Sequence, residues 1–485
     1  MENGNDNLGS PAQGQDQGQV LRQSPVTPKS SPNPLDTSRQ VTTYRSDQAG
    51  DGENKRPIGK IIKILLGLLV VAILIPVVFY IIFSNFGKNT GGKITLTYWG
   101  LWEDQKTVQP IISDFERENP NIIINYIPQS IKQYRETLQT RINNGTGPDI
   151  FRFHNTWYPM LSGVLLPLPS DVITGSDFTQ TFYPVAQKDL VRNGAIYGIP
   201  LEVDTLSLYI NTELLQSVGL NPPTTWNDFI NDARAMTVKD ENGKIKTAGA
   251  AIGTFDNIDH APDILSMLFL QNGVDFKNLS ASSDRFNGTL SFYTSFATDQ
   301  NNVWDNTLDP STLAFSKGNL AMYFGYSWDY FNIKKFNPNL NFEVVPVPQL
   351  PDRIVNMASY WVEGVSSKSK SQKQAFLFMK FLVKKETEEK LYAEESKART
   401  FGEPYARVDL SDTLKSNPNV YTFVSQAKTA SSTLFVDKTF DNGLNQQLNT
   451  YLGNAVNSVL SNGSTQSALD VFLKGVLQIL QKYGQ

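Results

Sequence analysis

The sequence predicts an α/β ectodomain of two lobes, preceded by one transmembrane helix and a disordered N-terminal tail. Three observations carry that expectation. Residues 64–83 form a run of 20 residues without a charge. At about 1.5 Å of rise each, such a run crosses the roughly 30 Å apolar core of a bilayer. Segments between 94 and 151 alternate strand-like and helix-like patterns, which favours a mostly parallel sheet covered by helices. About 390 residues remain after the apolar run and the short tether behind it, more than the roughly 250–300 at which a single core stops growing.

Residues 1–57 are rich in Gln, Gly, Asn, Ser, Pro and Asp and poor in branched apolar and aromatic side chains. Such a stretch cannot bury enough surface to offset its chain entropy, so a disordered tail is expected. The transmembrane helix is placed at 58–84 and a linker at 85–93. Lys55, Arg56, Lys60 and Lys63 precede the apolar run, while only Lys88 and Lys93 follow it closely. This excess predicts a single-pass protein of the cell membrane with a cytoplasmic N-terminus and an extracytoplasmic C-terminal part. Pro76 within the run is compatible with a membrane helix, which can re-satisfy the backbone groups it frees. A cleaved secretory signal is the alternative, but the run is long and Ser84, Asn85 and Phe86 after it offer no small-residue cleavage site. The chain has no cysteine, which excludes disulfides, thiolate catalysis, cysteine metal sites and a lipid anchor on cysteine.

The exported part opens on a strand at 94–99 (ITLTYW), by its β-branched and aromatic content. Val108, Ile111, Ile112 and Phe115 fall at helical spacing, and Pro120 ends that helix. A second strand is expected at 121–127. A helix carrying Tyr134, Leu138 and Ile142 follows, closed by the turn at 143–148, and Asp149 opens a third strand. Later, Thr225 is placed as the N-cap of a helix with Phe229, Ala233 and Met236 on one face and Asp228 three residues past the cap. Ala375, Phe376, Met379 and Leu382 make another apolar stripe. The charged run after it, KKETEEK, reads as a solvated helix surface. A last amphipathic helix is expected over 465–483, with Ala468, Leu469, Phe472, Val476 and Leu480 on its buried face.

The net charge of −4 gives no case for nucleic-acid binding. Two histidines, His154 and His260, leave no room for a histidine-rich metal site. No G-x-S-x-G turn accompanies either one. Aromatics make up 11% of the residues, and an exported chain must bury those rings or use some of them on a ligand.

Tyr98 to Glu103, Gly145 to Ile150, Leu165 to Leu168, Tyr197 to Asp204 and Ala314 to Trp328, taken in order, resemble the extracellular solute-binding protein family 1, the maltose-binding-protein-like receptors of ABC sugar importers. Tyr98-Trp99-Gly100-Leu101-Trp102-Glu103 ends the first strand. Gly145-Thr146-Gly147-Pro148-Asp149-Ile150 is similar to the family's G-x-G-P-D turn. Leu165-Leu166-Pro167-Leu168, then Tyr197-Gly198-Ile199-Pro200 through Asp204 and Leu208 to Asn211, continue the pattern. Gly219-Leu220 with Pro222 to Trp226, Ala314 to Gly318, Ala321-Met322, Gly325, Trp328 and Val344 to Pro348 complete it, over essentially all of 94–485. The resemblance implies a two-lobed, type II periplasmic-binding-protein-like fold. Lobe 1 would hold about 94–203 and 341–383, and lobe 2 about 207–328 and 390–485. Crossings are expected near 203–206, near 329–341 and after Val383. It also implies a small-molecule ligand, an ABC permease partner, no cofactor and no catalysis. Tyr360 to Gly364 departs from the family's usual glycine pair.

A sugar presents flat C–H faces and a ring of hydroxyls. Indoles cover the faces, and carboxylates and amides take the hydroxyl hydrogens. Loop positions after strands supply such groups: Trp102 and Glu103, Asn155 and Trp157, Glu202 and Asp204, Trp328, and later Trp361 and Glu363. These nine are the candidate ligand-binding residues. Trp99 is expected in the core, Asp149 in a structural turn, Trp226 in helix-start packing, and His154 as a satisfied hydrogen bonder. Ligand is expected to favour closure of the lobes. A membrane-tethered glycosidase remains a competing reading, since Glu103, Asp204 and Glu363 could furnish two acids. A ligand sensor of the same fold is a third.

Overall fold

The computed structural model describes residues 92–485 apart from Asp299 and Asn301. The expected tail, membrane helix and nearly all of the linker lie outside the described residues. Among the described residues no helix is long and apolar enough to cross a membrane.

The chain starts with β1 (Ile94–Gly100), α1 (Gln105–Glu118), β2 (Ile122–Pro128), α2 (Tyr134–Asn143) and β3 (Ile150–His154). Asp104 caps α1 by accepting from the Thr107 amide, and Val108, Ile111, Ile112 and Phe115 are its buried face. β1 pairs in parallel with both β2 and β3. Every side chain of β3 is buried, as a parallel strand covered on both faces requires. Asp149 holds the turn before β3 by accepting from the Thr97 amide and the Ser369 hydroxyl.

After β4 (Ile199–Pro200) the chain passes through β5 (Asp204–Thr205) into β6 (Ser207–Asn211). The second half then builds α3 (Trp226–Met236), β7 (Val238–Lys239), β8 (Ile245–Ala250), α4 (Ala261–Gln271), α5 (Ser283–Thr298), β9 (Leu320–Gly325), α6 (Ser327–Phe336) and β10 (Phe342–Val345). α3 begins with a complete capping box between Thr225 and Asp228, and Trp226 is buried in its first turn. Next come β11 (Asn356–Ser359), β12 (Trp361–Val365), α7 (Gln372–Leu382), α8 (Lys385–Ala398), α9 (Pro418–Gln426), β13 (Ala430–Ser431), α10 (Leu444–Leu460) and α11 (Thr465–Lys482).

Two five-stranded sheets result, ordered β2-β1-β3-β12-β4 and β10-β6-β9-β8-β7. Each is the centre of one lobe. A small third sheet, β13-β11-β5, is made only of crossing segments. The Gln426 amide reinforces it by donating to the Ser207 hydroxyl at 2.7 Å, the Thr205 hydroxyl and the Leu206 carbonyl. β5, at the position expected for the first crossing, is a strand of this third sheet. The second does not fall near 329–341. β10 pairs with β6 in the second sheet, because Phe342 and Val344 pack on that lobe, and the chain returns through β11 to β12. Residues 341–345 thus belong to lobe 2, and lobe 1 resumes only at β12.

α8 packs on α1 of the first lobe, so its charged start is not wholly solvated. Thr387 and Glu388 turn inward, while Lys390 reaches Asp114. α11 lays Ala468, Leu469, Phe472 and Val476 against α5 and α10. Each large apolar side chain buried this way contributes about 1.5–3 kcal/mol before entropy costs.

Candidate ligand-binding site

In open α/β sheets the strand C-termini face the binding crevice. β1 runs into Trp102, and β9 runs into Trp328 on the other lobe. Trp102 is 53% exposed and sits at φ 74°, a left-handed conformation that a bulky side chain adopts only when its surroundings enforce it. Its ring meets Trp361 edge-on at 5.6 Å, and Trp361 meets Trp157 at 5.3 Å. Trp361 and Glu363 share one face of β12, directly opposite His154 and Arg152 on β3.

Arg152 dominates this half electrostatically, and no local pattern in the sequence marks it. Its guanidinium is buried between Glu103 and Glu363, with Nε 2.6 Å from Glu363. Burial disfavours its charge, but the two carboxylates more than compensate and hold its pKa well above the usual value. Burial raises the Glu103 pKa, opposed by Arg152. Glu103 and Glu363 are thus engaged by one buried cation, not poised across a cleft as a pair of glycosidase acids.

The other first-lobe candidates are also engaged internally. Trp157 is fully buried, so it backs Trp361 and does not present a surface. The Asn155 amide donates to Asp189 at 2.8 Å, and the Tyr360 hydroxyl donates to the same carboxylate at 2.7 Å. Glu202 accepts from the Trp361 amide at 3.3 Å, and burial followed by repulsion from Glu403 lifts its pKa far above normal. His154 bonds Thr156 and Ser359 through its two ring nitrogens, and burial pushes its pKa down to about 3. It is a neutral, satisfied histidine.

Asp204 ties the first crossing to the second lobe. One oxygen accepts from the Thr205 amide and the other from the Ser327 amide at the start of α6, at 2.9 Å. A buried carboxylate at a helix N-terminus is favourably placed. Next to it, half-buried Trp328 stacks on Tyr326 with centroids 4.5 Å apart and planes inclined by 16°. Behind these rings His260 lies 2.8 Å from Asp329 and 3.7 Å from Asp437. Burial works against its charge, but Asp329, then Asp437 and Asp263, bring its pKa up to about 9.

A cavity of about 610 Å³ lies on the second lobe between the loop at Phe255–Asp259 and α10. The segment between Asp437 and Asn442 forms its rim. No sequence prediction named these residues, although three asparagines and a glutamine at helical spacing along α10 were a usable signal. Among the described residues, no three His, Cys, Asp or Glu side chains are arranged to hold a metal ion. The structure therefore joins Trp102, Trp157, Trp361, Glu103 and Glu363 in one cluster. It joins Asp204 to the start of the helix carrying Trp328, and leaves the two groups on separate lobes.

This architecture has known relatives. The model of the bacterial extracellular solute-binding protein family matches residues 99–389, and the chain belongs to that family. Its members bind solutes and are not enzymes. A multiple sugar-binding protein from Streptococcus mutans is 22% identical over 328 residues, covering 64% of this chain and 76% of its own length. The crystal structure of a cyclo/maltodextrin-binding protein complexed with maltotetraose superposes with a TM-score of 0.64 at 18% identity, over 81% of this chain and 99% of that one. An ABC substrate-binding protein from Listeria monocytogenes in complex with cycloalternan gives 0.62 at 20% identity, over 81% of this chain and 99% of its own.

Proposed function

We propose that this chain is the sugar receptor of an ABC import permease, held at the outer face of the cell membrane by residues 58–84. A saccharide enters between the lobes and is sandwiched by Trp102 from one side and Trp328 from the other. Contact with both indoles is complete only when the lobes close about the β13-β11-β5 hinge, so ligand shifts the population toward the closed form. A membrane permease then recognises that closed shape.

The observation that supports this most directly is the placement of those two rings. Each follows a strand of a different sheet and is held by ring packing from behind, and each still reaches solvent. Flat aromatic faces suit the C–H faces of pyranose rings. The sugar ligands of the relatives point the same way. The seven other candidates act behind these rings: Glu103, Glu363, Glu202, Trp157 and Trp361 fix the first-lobe platform, Asn155 supports it, and Asp204 fixes the start of α6.

Calorimetric titration of the full-length chain in detergent with a panel of neutral di- to hexasaccharides tests the proposal. Binding by at least one saccharide, with compaction in small-angle scattering, is the expected result. A panel that leaves both heat and dimensions unchanged overturns it.

A further inference from the structure

The turn that carries Trp102 is built against the backbone's own preference. The Glu103 amide donates to the Leu101 carbonyl at 2.9 Å, which closes a three-residue turn with Trp102 at its centre. With φ at 74°, this is the rare and strained kind of γ-turn, not its common inverse form. A tryptophan there sets its Cβ against the backbone, where a glycine would sit at ease. Such strain persists only where the surrounding structure over-determines it. The contacts that enforce the turn are therefore as informative as the ring it displays.

Those contacts grip the chain on both sides of Trp102. Before it, the Gly100 carbonyl accepts from the Gln129 amide at 2.9 Å. The Leu101 carbonyl takes a second hydrogen bond from Arg152 Nη1 at 3.2 Å, and the Leu101 side chain is fully buried. After it, the Glu103 carbonyl accepts from the Tyr126 hydroxyl at 2.8 Å, and the Glu103 carboxylate is paired with Arg152. Asp104 then caps α1. Tyr126 is a buried β2 residue directly opposite Tyr98, and the two rings meet edge-on at 5.0 Å. The glycine at position 100 makes room for it, because a Cβ there would collide with the Tyr126 ring and hydroxyl. Burial pushes the Tyr126 pKa well up, so its hydroxyl remains a donor.

We infer that Tyr126 is a positioning residue for the ligand, holding the strained turn that presents the Trp102 ring. The inference rests on the sugar-receptor reading for what the ring touches, and adds that the ring is preset before ligand arrives. Without the Tyr126 hydroxyl, residues 101–103 are free to relax toward ordinary φ. The Trp102 Cβ then points elsewhere, and its ring leaves the edge of Trp361. A preset ring loses less conformational freedom on binding, so loosening the turn weakens affinity although no atom that meets the ligand is altered. Arg152 grips the same turn, but it also neutralises buried carboxylates, so its removal would mix positioning with stability. The Tyr126 hydroxyl is removable by itself.

The variant Tyr126→Phe deletes one oxygen and keeps the ring that packs over Gly100. The first measurement needs no sugar. In the full-length chain labelled with 5-fluorotryptophan, the Trp102 fluorine resonance is assigned by its loss in Trp102→Phe. It is expected to shift or broaden in Tyr126→Phe, while those of the buried Trp226 and Trp304 in the second lobe stay in place. Calorimetric titration with the best saccharide of the panel then follows the double-mutant cycle of Tyr126→Phe and Trp102→Ala. Tyr126→Phe is expected to weaken binding about fivefold, the scale of one hydrogen bond. Once Trp102 is replaced by alanine, the same change should have no effect, because the two act as one unit. An unmoved Trp102 resonance overturns the inference, as does a loss of affinity that persists in the alanine background. A chain that binds no saccharide overturns the receptor reading, and the fluorine spectrum still decides whether Tyr126 holds the turn.

Discussion

The two faces proposed to meet the ligand are built on opposite plans. The first-lobe face is a closed set of partners: Arg152 is wedged between Glu103 and Glu363, and Trp102 leans on Trp361, which leans on Trp157. The second-lobe face is open. Trp328 rests on Tyr326 at the head of a helix, and beyond it lies a roomy polar groove bordered by a backbone in left-handed conformations. The carboxylates beside Trp102 thus serve the platform that holds the ring.

The contrast breaks most dramatically at Arg152. Replacing it with Met leaves two buried carboxylates facing each other. Truncating one member of a buried charged set costs about 3–5 kcal/mol. Arg152→Met should therefore lower the unfolding midpoint in urea steeply, and the triple variant with Glu103→Gln and Glu363→Gln should recover most of the loss. If Arg152→Met unfolds with the wild type, the platform is not held by charge. On the open face the equivalent blow is to binding. Trp328→Ala should weaken the best saccharide by about thirtyfold, some 2 kcal/mol, the scale of a central aromatic anchor. The thermal midpoint should move less than in Arg152→Met, since that ring is only partly buried. A calorimetric titration beside a melting curve reads both at once.

The faces also differ in how they respond to pH. In the second lobe His260 is held at about 9, against about 6.5 when unfolded. Its contribution is complete below about pH 6.5 and is lost as pH rises through 9. Asp263 is raised to about 6, chiefly by burial, and Glu395 of the first lobe to about 8, by burial and then by Glu103 and Glu403. A carboxyl that keeps its proton longer in the fold favours the fold at low pH, so these contributions fade as pH rises through 6 and 8. His154 has the opposite sign. At about 3 in the fold, its contribution is present above about pH 6.5 and declines as pH falls toward 3. The melting temperature should therefore fall by a few degrees between pH 6.5 and 9. His260→Asn should flatten that slope. A slope that the variant leaves unaltered would remove His260 from the account.

Much of the scaffold was readable in advance, because its signals are local. The β1-α1-β2-α2-β3 run follows apolar periodicity, and the Thr225–Asp228 capping box is written in four consecutive residues. Trp226 and Asp149 stand where packing and turn geometry place them. What escaped was non-local. The second crossing was misplaced because Phe342 to Val345 carries no mark of which sheet it will join. Arg152 was invisible because its two partners lie 49 and 211 residues away in sequence. Trp157 and Asn155 sit at loop positions that invite a ligand, yet tertiary packing turned both inward. The α10 amide row was legible by its spacing, but polar residues on a helix ordinarily mean a solvated surface.

The smallest effect tests the open face by its backbone. Asn442 lies at φ 45°, a region where glycine is at ease and a β-branched residue is not. Asn442→Gly should leave the folding stability within about 0.5 kcal/mol of the wild type, because relief of strain and the added freedom of the unfolded chain nearly cancel. Asn442→Val should cost about 1–2 kcal/mol if the rim keeps its left-handed turn. The rim is polar and borders an open groove, so a rim free to relax would absorb valine by moving to ordinary φ. The two variants would then melt together. A clear gap between them, with saccharide binding weakened in Asn442→Val alone, would mean that the rim's conformation is part of how the second lobe meets its ligand.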